Sequence, residues 1–233
     1  MKEIIGKIDY TLLDEHATLE ELEKVCKRAV SLGVKSVCVL PQHVEKVNAI
    51  ISDSTVSVCS VVSFPDGEAS IDDKKKELEK LIQSGADEVD IVWNYRKIKD
   101  PHYLQSELNT LSTHCKTLKT KRDASVLVKI IVESGLLTLD ETLFATKACI
   151  LAGVDFIKTS TGKVETGAEL DKILTMNEVI KLMGSSLKIK ASGGIRTKAQ
   201  IDSFQPYVHR YGIGYQTVDA LLEGSFNCKS QEY

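Results

Sequence analysis

Apolar positions along this chain recur with two alternating periods. Between Thr18 and Leu32, the residues Leu22, Val25, Cys26, Ala29 and Val30 share one face at the 3.6-residue spacing of an amphipathic helix. A short apolar run of strand length, Val37 to Leu40, follows at once. The same transition appears three times, at Ser31–Val37, Gln83–Val89 and Leu151–Ile157. In each, a helix pattern ends at a glycine (Gly33, Gly85, Gly153) and a strand begins directly, as short helix-to-strand connections do. Helix starts are marked by the capping-box spacing of Thr18 with Glu21, Thr138 with Glu141 and Thr166 with Glu169. These patterns predict strands near 4–9, 35–40, 56–62, 87–92, 126–132, 154–158, 187–190 and 208–212. Helices are predicted between them, near 18–32, 42–51, 70–84, 102–119, 139–152, 167–183 and 197–204, with a last one near 216–223.

Strict alternation of strand and helix argues for a parallel sheet with right-handed crossovers. Eight such units, in a chain just short of the roughly 250 residues typical of the class, point to an α/β fold of the (β/α)8 TIM-barrel type. An open doubly wound sheet would favour a glycine-rich loop after the first strand, where this chain has Asp9-Tyr10-Thr11-Leu12-Leu13. With no linker or low-complexity stretch inside, the expectation is one barrel domain over 1–223 and a short tail over 224–233.

Composition narrows the partners. The 233 residues are 42% hydrophobic with a formal net charge of -3, which gives no reason to expect nucleic acid or a membrane surface. No apolar run approaches the ~20 residues of a membrane span, and the N-terminus has no signal-peptide pattern. The six cysteines (Cys26, Cys38, Cys59, Cys115, Cys149, Cys228) have no paired metal-ligand spacing, so they read as small hydrophobes in a reducing, cytoplasmic setting. Neither a metal nor an organic cofactor is expected.

In such barrels the chemistry sits at the C-terminal ends of the strands. Those ends offer Asp9, Thr11, Cys38, Asp90, Glu133, Lys158 and Lys190, and glycines after the seventh and eighth strands. Side-chain alternation turns several of them inward. In the fourth strand Val89 and Ile91 share the outer face, leaving Asp90 inside. In the fifth, Lys129, Ile131 and Glu133 face in, and in the seventh, Lys188 and Lys190 do. Lys129 and Lys188 read as members of structural ion pairs. Lys158 and Lys190 end neighbouring strands, about 4.8 Å apart, so their ammonium groups compete. A neighbouring cation and partial desolvation both favour a neutral amine, which attacks carbonyls and forms Schiff bases. Asp90 could accept or relay the protons. Beyond the seventh strand, Gly193-Gly194 lets backbone approach an anion closely, where barrels commonly bind phosphate.

At these residues the sequence resembles the deoxyribose-phosphate aldolases, a family of class I aldolases. The motif Asp155-Phe156-Ile157-Lys158-Thr159-Ser160-Thr161-Gly162-Lys163 is the most specific match. KIKASGGIRT at 188–197, GADEVDIV at 85–92, VKIIVESG at 128–135, FPDG at 64–67 and IDYTLL at 8–13 support it over essentially the whole chain. The resemblance implies a (β/α)8 barrel that reversibly cleaves 2-deoxy-D-ribose 5-phosphate into D-glyceraldehyde 3-phosphate and acetaldehyde. It implies Lys158 as Schiff-base lysine, Lys190 as the lysine that activates it and Asp90 as acid and base. Asp9 and Thr11 then line the substrate pocket. Thr161, Gly162, Lys163, Gly193 and Gly194 surround the sugar hydroxyl and phosphate, with Gly212 and Gly214 beside them. A homodimer is common among relatives.

Two departures bear on the phosphate. After the eighth strand the family usually carries two serines, whereas this chain has Gly214 and Tyr215. At ~1–3 kcal/mol per lost hydrogen bond to a charged group, phosphate affinity would fall tenfold or more. At position 14 an aspartate adds negative charge where relatives carry Asn or Lys. The alternatives are therefore a Schiff-base aldolase for a less phosphorylated aldehyde or sugar, and a barrel retained for binding. Cys38 matches a cysteine near the substrate in some relatives but reads as a buried hydrophobe. Tyr233, the last residue, is either a disordered end or the terminal tyrosine that some relatives fold over the site.

Overall fold

The structure, a computed structural model, describes residues 1–224. Eight parallel strands close into a barrel in sequence order: β1 (Ile8–Leu12), β2 (Ser36–Val39), β3 (Ser57–Val62), β4 (Glu88–Val92), β5 (Leu127–Ile131), β6 (Phe156–Lys158), β7 (Lys188–Ser192) and β8 (Arg210–Gly214). β8 returns to pair with β1, with Asp9 opposite Gly212 and Thr11 opposite Gly214. Around them lie α1 (Leu19–Leu32), α2 (Val44–Ile51), α3 (Ile71–Ser84), α4 (Pro101–Thr117), α5 (Leu139–Ala152), α6 (Leu170–Leu182), α7 (Lys198–Phe204) and α8 (Tyr215–Glu223). The expected (β/α)8 barrel is what forms. The expectations for the tail and Tyr233 lie outside the described residues, except for Gly224, which caps α8.

The greatest departure from the sequence reading is the first strand. Residues Lys2–Lys7 form a 3-10 helix, and the strand runs over Ile8–Leu12 instead of ending at 9. β7 and β8 likewise extend to Ser192 and Gly214. The cause is shared. These strands place polar or glycine residues inward, so their final turns carry the composition of a loop while their outward residues (Tyr10, Ala191, Ile213) stay buried.

Helix termini follow the local signals in most places. Gly33, Gly85 and Gly153 all close helices in the left-handed conformation, at φ 68°, 113° and 65°. Thr138 and Glu141 form a complete capping box, and Thr18 accepts from the Glu21 amide. Thr166 does not cap a helix: α6 begins later, after Glu169, with no side-chain cap. Its neighbour Gly167 instead packs against the Gly193 carbonyl, where a Cβ would collide, and Ala168 donates to that carbonyl at 3.0 Å. The loop serves the barrel mouth rather than the helix.

The main core lies between barrel and helices, where outward residues such as Val89, Ile91, Ile130, Ile157 and Ile189 meet α-helical Leu78, Leu104, Ala145 and Ile173. One buried ion pair crosses it. Lys74 of α3 bonds Glu107 of α4 at 2.5 Å and the Val92 carbonyl at 2.8 Å, while Glu107 accepts from the Asn94 amide at 3.1 Å. The pair thereby pins the end of β4, the strand that carries Asp90.

Inside the barrel the expected alternation holds for Asp90 and Lys129, both fully buried. Lys129 does enter ion pairs, described below. For Lys188 the structure corrects the expectation. It stands at the N-terminal rim, exposed, with its ammonium 5.7 Å from the Phe156 ring centre, and no carboxylate reaches it among the described residues. The Arg210 guanidinium lies 5.3 Å from the same ring, so Phe156 closes the barrel bottom between two cations.

Candidate active site

Above Phe156 the barrel interior holds a connected lattice of four cations and three carboxylates: Lys129, Lys158, Lys190 and Arg210 with Asp9, Glu88 and Asp90. Each occupies an inward position of its strand, so the same period-2 alternation that buries the outer face gathers them. Asp90 is the hub. Its Oδ2 accepts from Lys158 at 2.7 Å and from Lys190 at 2.6 Å, and its Oδ1 from Lys129 at 2.8 Å. Lys190 also bonds Asp9. Asp9 accepts in addition from Arg210 at 2.6 Å and from the Ser36 hydroxyl at 2.7 Å. Glu88 completes the lattice, 2.7 Å from Lys129 and 3.0 Å from Arg210.

Burial and Coulomb forces oppose each other here, and the charges win. Desolvation alone would push Asp90 up, yet Lys129, Lys158 and Lys190 hold it well below the carboxylate range. Burial would likewise raise Asp9, but Lys190, Lys129 and Arg210 drive it down. Burial opposes the charge on Lys190, while Asp9 and Asp90 outweigh it and keep that ammonium charged. Lys129 is held charged against burial in the same way, chiefly by Asp90. Four cations against three carboxylates leave one positive charge in excess. Of the four, Lys158 alone lines the open cavity.

A cavity of about 190 Å³ opens above the lattice at the C-terminal end of the strands. Its wall is formed by Thr11, Leu13, Lys158, Thr161, Gly162, Ser192, Gly193, Gly194, Ile195, Arg196, Gly212, Ile213, Gly214 and Thr217. The loops after β6 and β7 are sewn together at this wall. Thr159 Oγ1 donates to the Ser192 carbonyl and accepts from the Ser192 amide, both at 2.9 Å, and Ser192 Oγ donates to the Ser160 carbonyl at 2.6 Å. Glu133 leaves β5 with φ 53° and turns its carboxyl back to Thr161, whose hydroxyl donates to it at 2.6 Å. Burial raises the Glu133 carboxyl despite those Thr161 bonds. Gly193 and Gly194 both take positive φ, 82° and 69°, which turns the backbone at the rim as only glycine does readily.

The sequence-predicted residues thus divide into layers. Lys158, Thr11, Thr161, Gly162, Gly193, Gly194, Gly212 and Gly214 lie on the cavity wall. Asp90, Lys190 and Asp9 lie beneath it, fully buried, and Asp9 is a lattice member rather than a wall residue. Gly212 is tight against Lys190, where a Cβ would come 3.1 Å from Cε. Lys163 is exposed and lines an adjoining groove with Asp14, His16 and Phe64, outside this cavity. Tyr215 does not enter the cavity. Its hydroxyl donates to Glu21 at 2.6 Å and its ring meets Tyr10 edge-on at 6.0 Å. Position 214 is open: a Cβ added there would meet nothing within 4 Å.

Sequence reading missed Arg196, Ser192 and Thr217 on the wall, and Glu88 and Arg210 in the lattice. Glu88 was legible by parity, two residues before Asp90. Thr217 carried a weaker signal, as the third residue of α8 after its N-cap Gly214. As for metals, Cys38, Cys59 and Asp90, and also Asp9, Cys59 and Glu88, stand close enough to share an ion. In both groups the carboxylates are already bonded to ammonium or guanidinium groups, which a divalent cation would have to displace.

A parallel barrel with a lysine at its mouth, resting on a buried carboxylate shared with a second lysine, has the arrangement of a Schiff-base enzyme. The sequence profile of the DeoC/LacD family aldolases matches residues 4–209. The deoxyribose-phosphate aldolase of Mycoplasmoides pirum is 41% identical over 189 residues, covering 81% of this chain and 83% of that protein. The deoxyribose-phosphate aldolase of Clostridium kluyveri is 38% identical over 198 residues, 84% of this chain and 86% of that one. Among solved structures, the aldolase QR15 superposes with a TM-score of 0.83 at 31% identity, covering 97% and 98% of the two chains. The tetrameric deoxyribose phosphate aldolase from Aeropyrum pernix shares the fold, with a TM-score of 0.84 at 24% identity over 96% of this chain and 92% of that one. The chain belongs to the DeoC/LacD aldolase family. No helix among the described residues is long and apolar enough to cross a membrane.

Proposed function

We propose that this protein is a class I aldolase that reversibly cleaves 2-deoxy-D-ribose 5-phosphate into D-glyceraldehyde 3-phosphate and acetaldehyde, through a Schiff base on Lys158. The observation that carries the reading is Lys158 on the cavity wall, sharing Asp90 Oδ2 with Lys190, whose ammonium Asp9 and Asp90 hold charged. The neutral Lys158 amine adds to C1 of the open-chain sugar, and loss of water gives the iminium. The C3 hydroxyl then loses its proton, the C2–C3 bond breaks, and its electron pair moves into the C1–C2 enamine. D-Glyceraldehyde 3-phosphate leaves. Protonation of C2 and hydrolysis of the second iminium release acetaldehyde and restore the amine. Asp90, alone or through water, moves the protons. Lys190 and Lys129 keep Asp90 ionised, and Asp9 with Arg210 keeps Lys190 in register beneath Lys158.

The phosphate end is assigned to Gly193, Gly194 and Arg196, with Gly214 and Thr217 at the start of α8. Backbone N–H groups and a guanidinium are the usual means of holding that anion. Because Tyr215 turns away to Glu21, the missing family serines leave open space rather than an obstruction. Two charge-assisted hydrogen bonds at about 1.5–3 kcal/mol each predict a kcat/KM for the 5-phosphate some 10²–10⁴ times that for free 2-deoxyribose. The comparison of the two substrates tests this. Equal values, or a preference for the free sugar, would replace the phosphate ester with an unphosphorylated substrate, as the glycine at 214 allows. Absence of cleavage of both would favour a binding role.

A further inference from the structure

Cys38 and Cys59 lie side by side beneath the cavity, and no step of the proposed reaction uses a thiol. They are register partners on β2 and β3. Their sulfurs and one Asp90 carboxylate oxygen all lie within 4.8 Å of one another, which turns both side chains into the barrel. Neighbouring Cα atoms of paired parallel strands are about 4.8 Å apart, inside the roughly 4.4–6.8 Å span that a disulfide bridges. Side-chain rotation brings the sulfurs together without moving either strand.

The two thiols are unequal. At Cys38 the neighbouring Cys59 outweighs burial and the Asp90 carboxylate, and the ammonium groups of Lys190 and Lys158 add to it, so the thiol sits below its ordinary value. Cys59 stands 3.4 Å from Asp90 Oδ1 and 3.4 Å from Lys129 Nζ. Burial and its bond to Cys38 push it well above. One cysteine is thus set to attack and its neighbour retains a proton. The other described cysteines lack such partners: burial pushes Cys26 and Cys115 up to about 12, and it raises Cys149 as well. Both cysteines are buried, and Thr11, the register partner of Cys38 on β1, lines the cavity wall.

We propose that Cys38 and Cys59 form a modification site for hydrogen peroxide, which converts this dithiol into a Cys38–Cys59 disulfide. The Cys38 thiolate attacks one peroxide oxygen, the O–O bond breaks, and the departing hydroxide takes a proton to become water. Cys38 is then a sulfenic acid. The Cys59 sulfur attacks it, the S–S bond forms and the S–O bond breaks. The second hydroxide leaves with the Cys59 proton as water. The two sulfurs supply the two electrons that reduce the peroxide. In a reducing compartment, disulfides are usually transient and catalytic or redox-sensing. Formation of the Cys38–Cys59 disulfide removes the Cys59 hydrogen that faces Asp90 Oδ1 at 3.4 Å.

The test is peptide mapping by mass spectrometry after peroxide treatment of the full chain and alkylation of the remaining thiols. The wild-type protein is expected to yield a linked pair of peptides carrying Cys38 and Cys59, with loss of one pair of hydrogens, reversed by dithiothreitol. In Cys59→Ala, which removes the resolving thiol, Cys38 is expected to advance to sulfinic acid that dithiothreitol does not restore. The proposal is overturned if both cysteines of the wild type remain alkylatable after treatment. It is equally overturned if Cys38 reaches sulfinic acid as readily in the wild type as in the variant, or if Cys38 pairs with Cys228. These readouts are masses and do not depend on turnover, so they stand or fall separately from the aldolase reading.

Discussion

Lys158→Ala is expected to lower kcat for cleavage of 2-deoxyribose 5-phosphate by at least about 10⁴-fold, with little change in affinity for the sugar phosphate. The nucleophile forms the covalent bond on which every later step depends, and the alanine keeps the phosphate end of the cavity untouched. The same substitution has a second consequence. It leaves Lys129, Lys190 and Arg210 facing Asp9, Glu88 and Asp90, three cations against three carboxylates, so no buried charge loses its counter-charge. Denaturant unfolding should therefore find the variant as stable as the parent, or more so, while steady-state kinetics find it inactive. A variant inactive because it is unfolded would not carry this argument; a well-folded and active one would refute it.

Asp90→Asn is expected to act in the opposite sense on stability. It leaves Lys129, Lys190 and Arg210 in the barrel with two carboxylates, Asp9 and Glu88, and breaking a buried charge network from one side costs about 3–5 kcal/mol. Loss of the proton relay is expected to lower kcat by about 10²–10⁴-fold. The pH dependence distinguishes the two effects. Asp90 and Asp9 have carboxyl groups held far below the value near 3.9 that they regain on unfolding. Their stabilisation is therefore fully present above that unfolded value and is lost as pH falls through the folded ones. Wild-type stability should decline with acid below about pH 5 as these carboxylates become protonated. Asp90→Asn should show a shallower decline, because one of the groups responsible is gone. Urea unfolding at a series of pH values measures both the offset and the slope.

Much of this was legible along the chain, for a physical reason that also explains what was not. Helices and outward strand faces pack on one another, so their apolar periods and the glycines at 33, 85 and 153 gave the order of elements and the barrel. Alternation within strands points to Asp90 and Lys190, and the end of the sixth strand points to Lys158. The same rule misplaced the ends of β1, β7 and β8, because an ionic barrel interior gives inward positions such as Asp9, Ser192 and Gly212 the look of a loop. Contacts between distant strands are not encoded in any local period. Nothing near Arg210 announces Glu88 and Asp9, and nothing in Tyr215 announces that it turns to Glu21. For that reason Asp9 looks like a wall residue, Lys188 like an ion-pair partner, and Tyr215 like a residue standing in for a phosphate-binding serine.

The most direct test of the central claim is borohydride reduction of the protein in the presence of acetaldehyde, followed by intact-mass measurement and peptide mapping. The account predicts a single reduced ethyl adduct, carried by Lys158, that irreversibly abolishes cleavage. An adduct on Lys190 or Lys129 with Lys158 unmodified, or full activity retained after treatment, would contradict it.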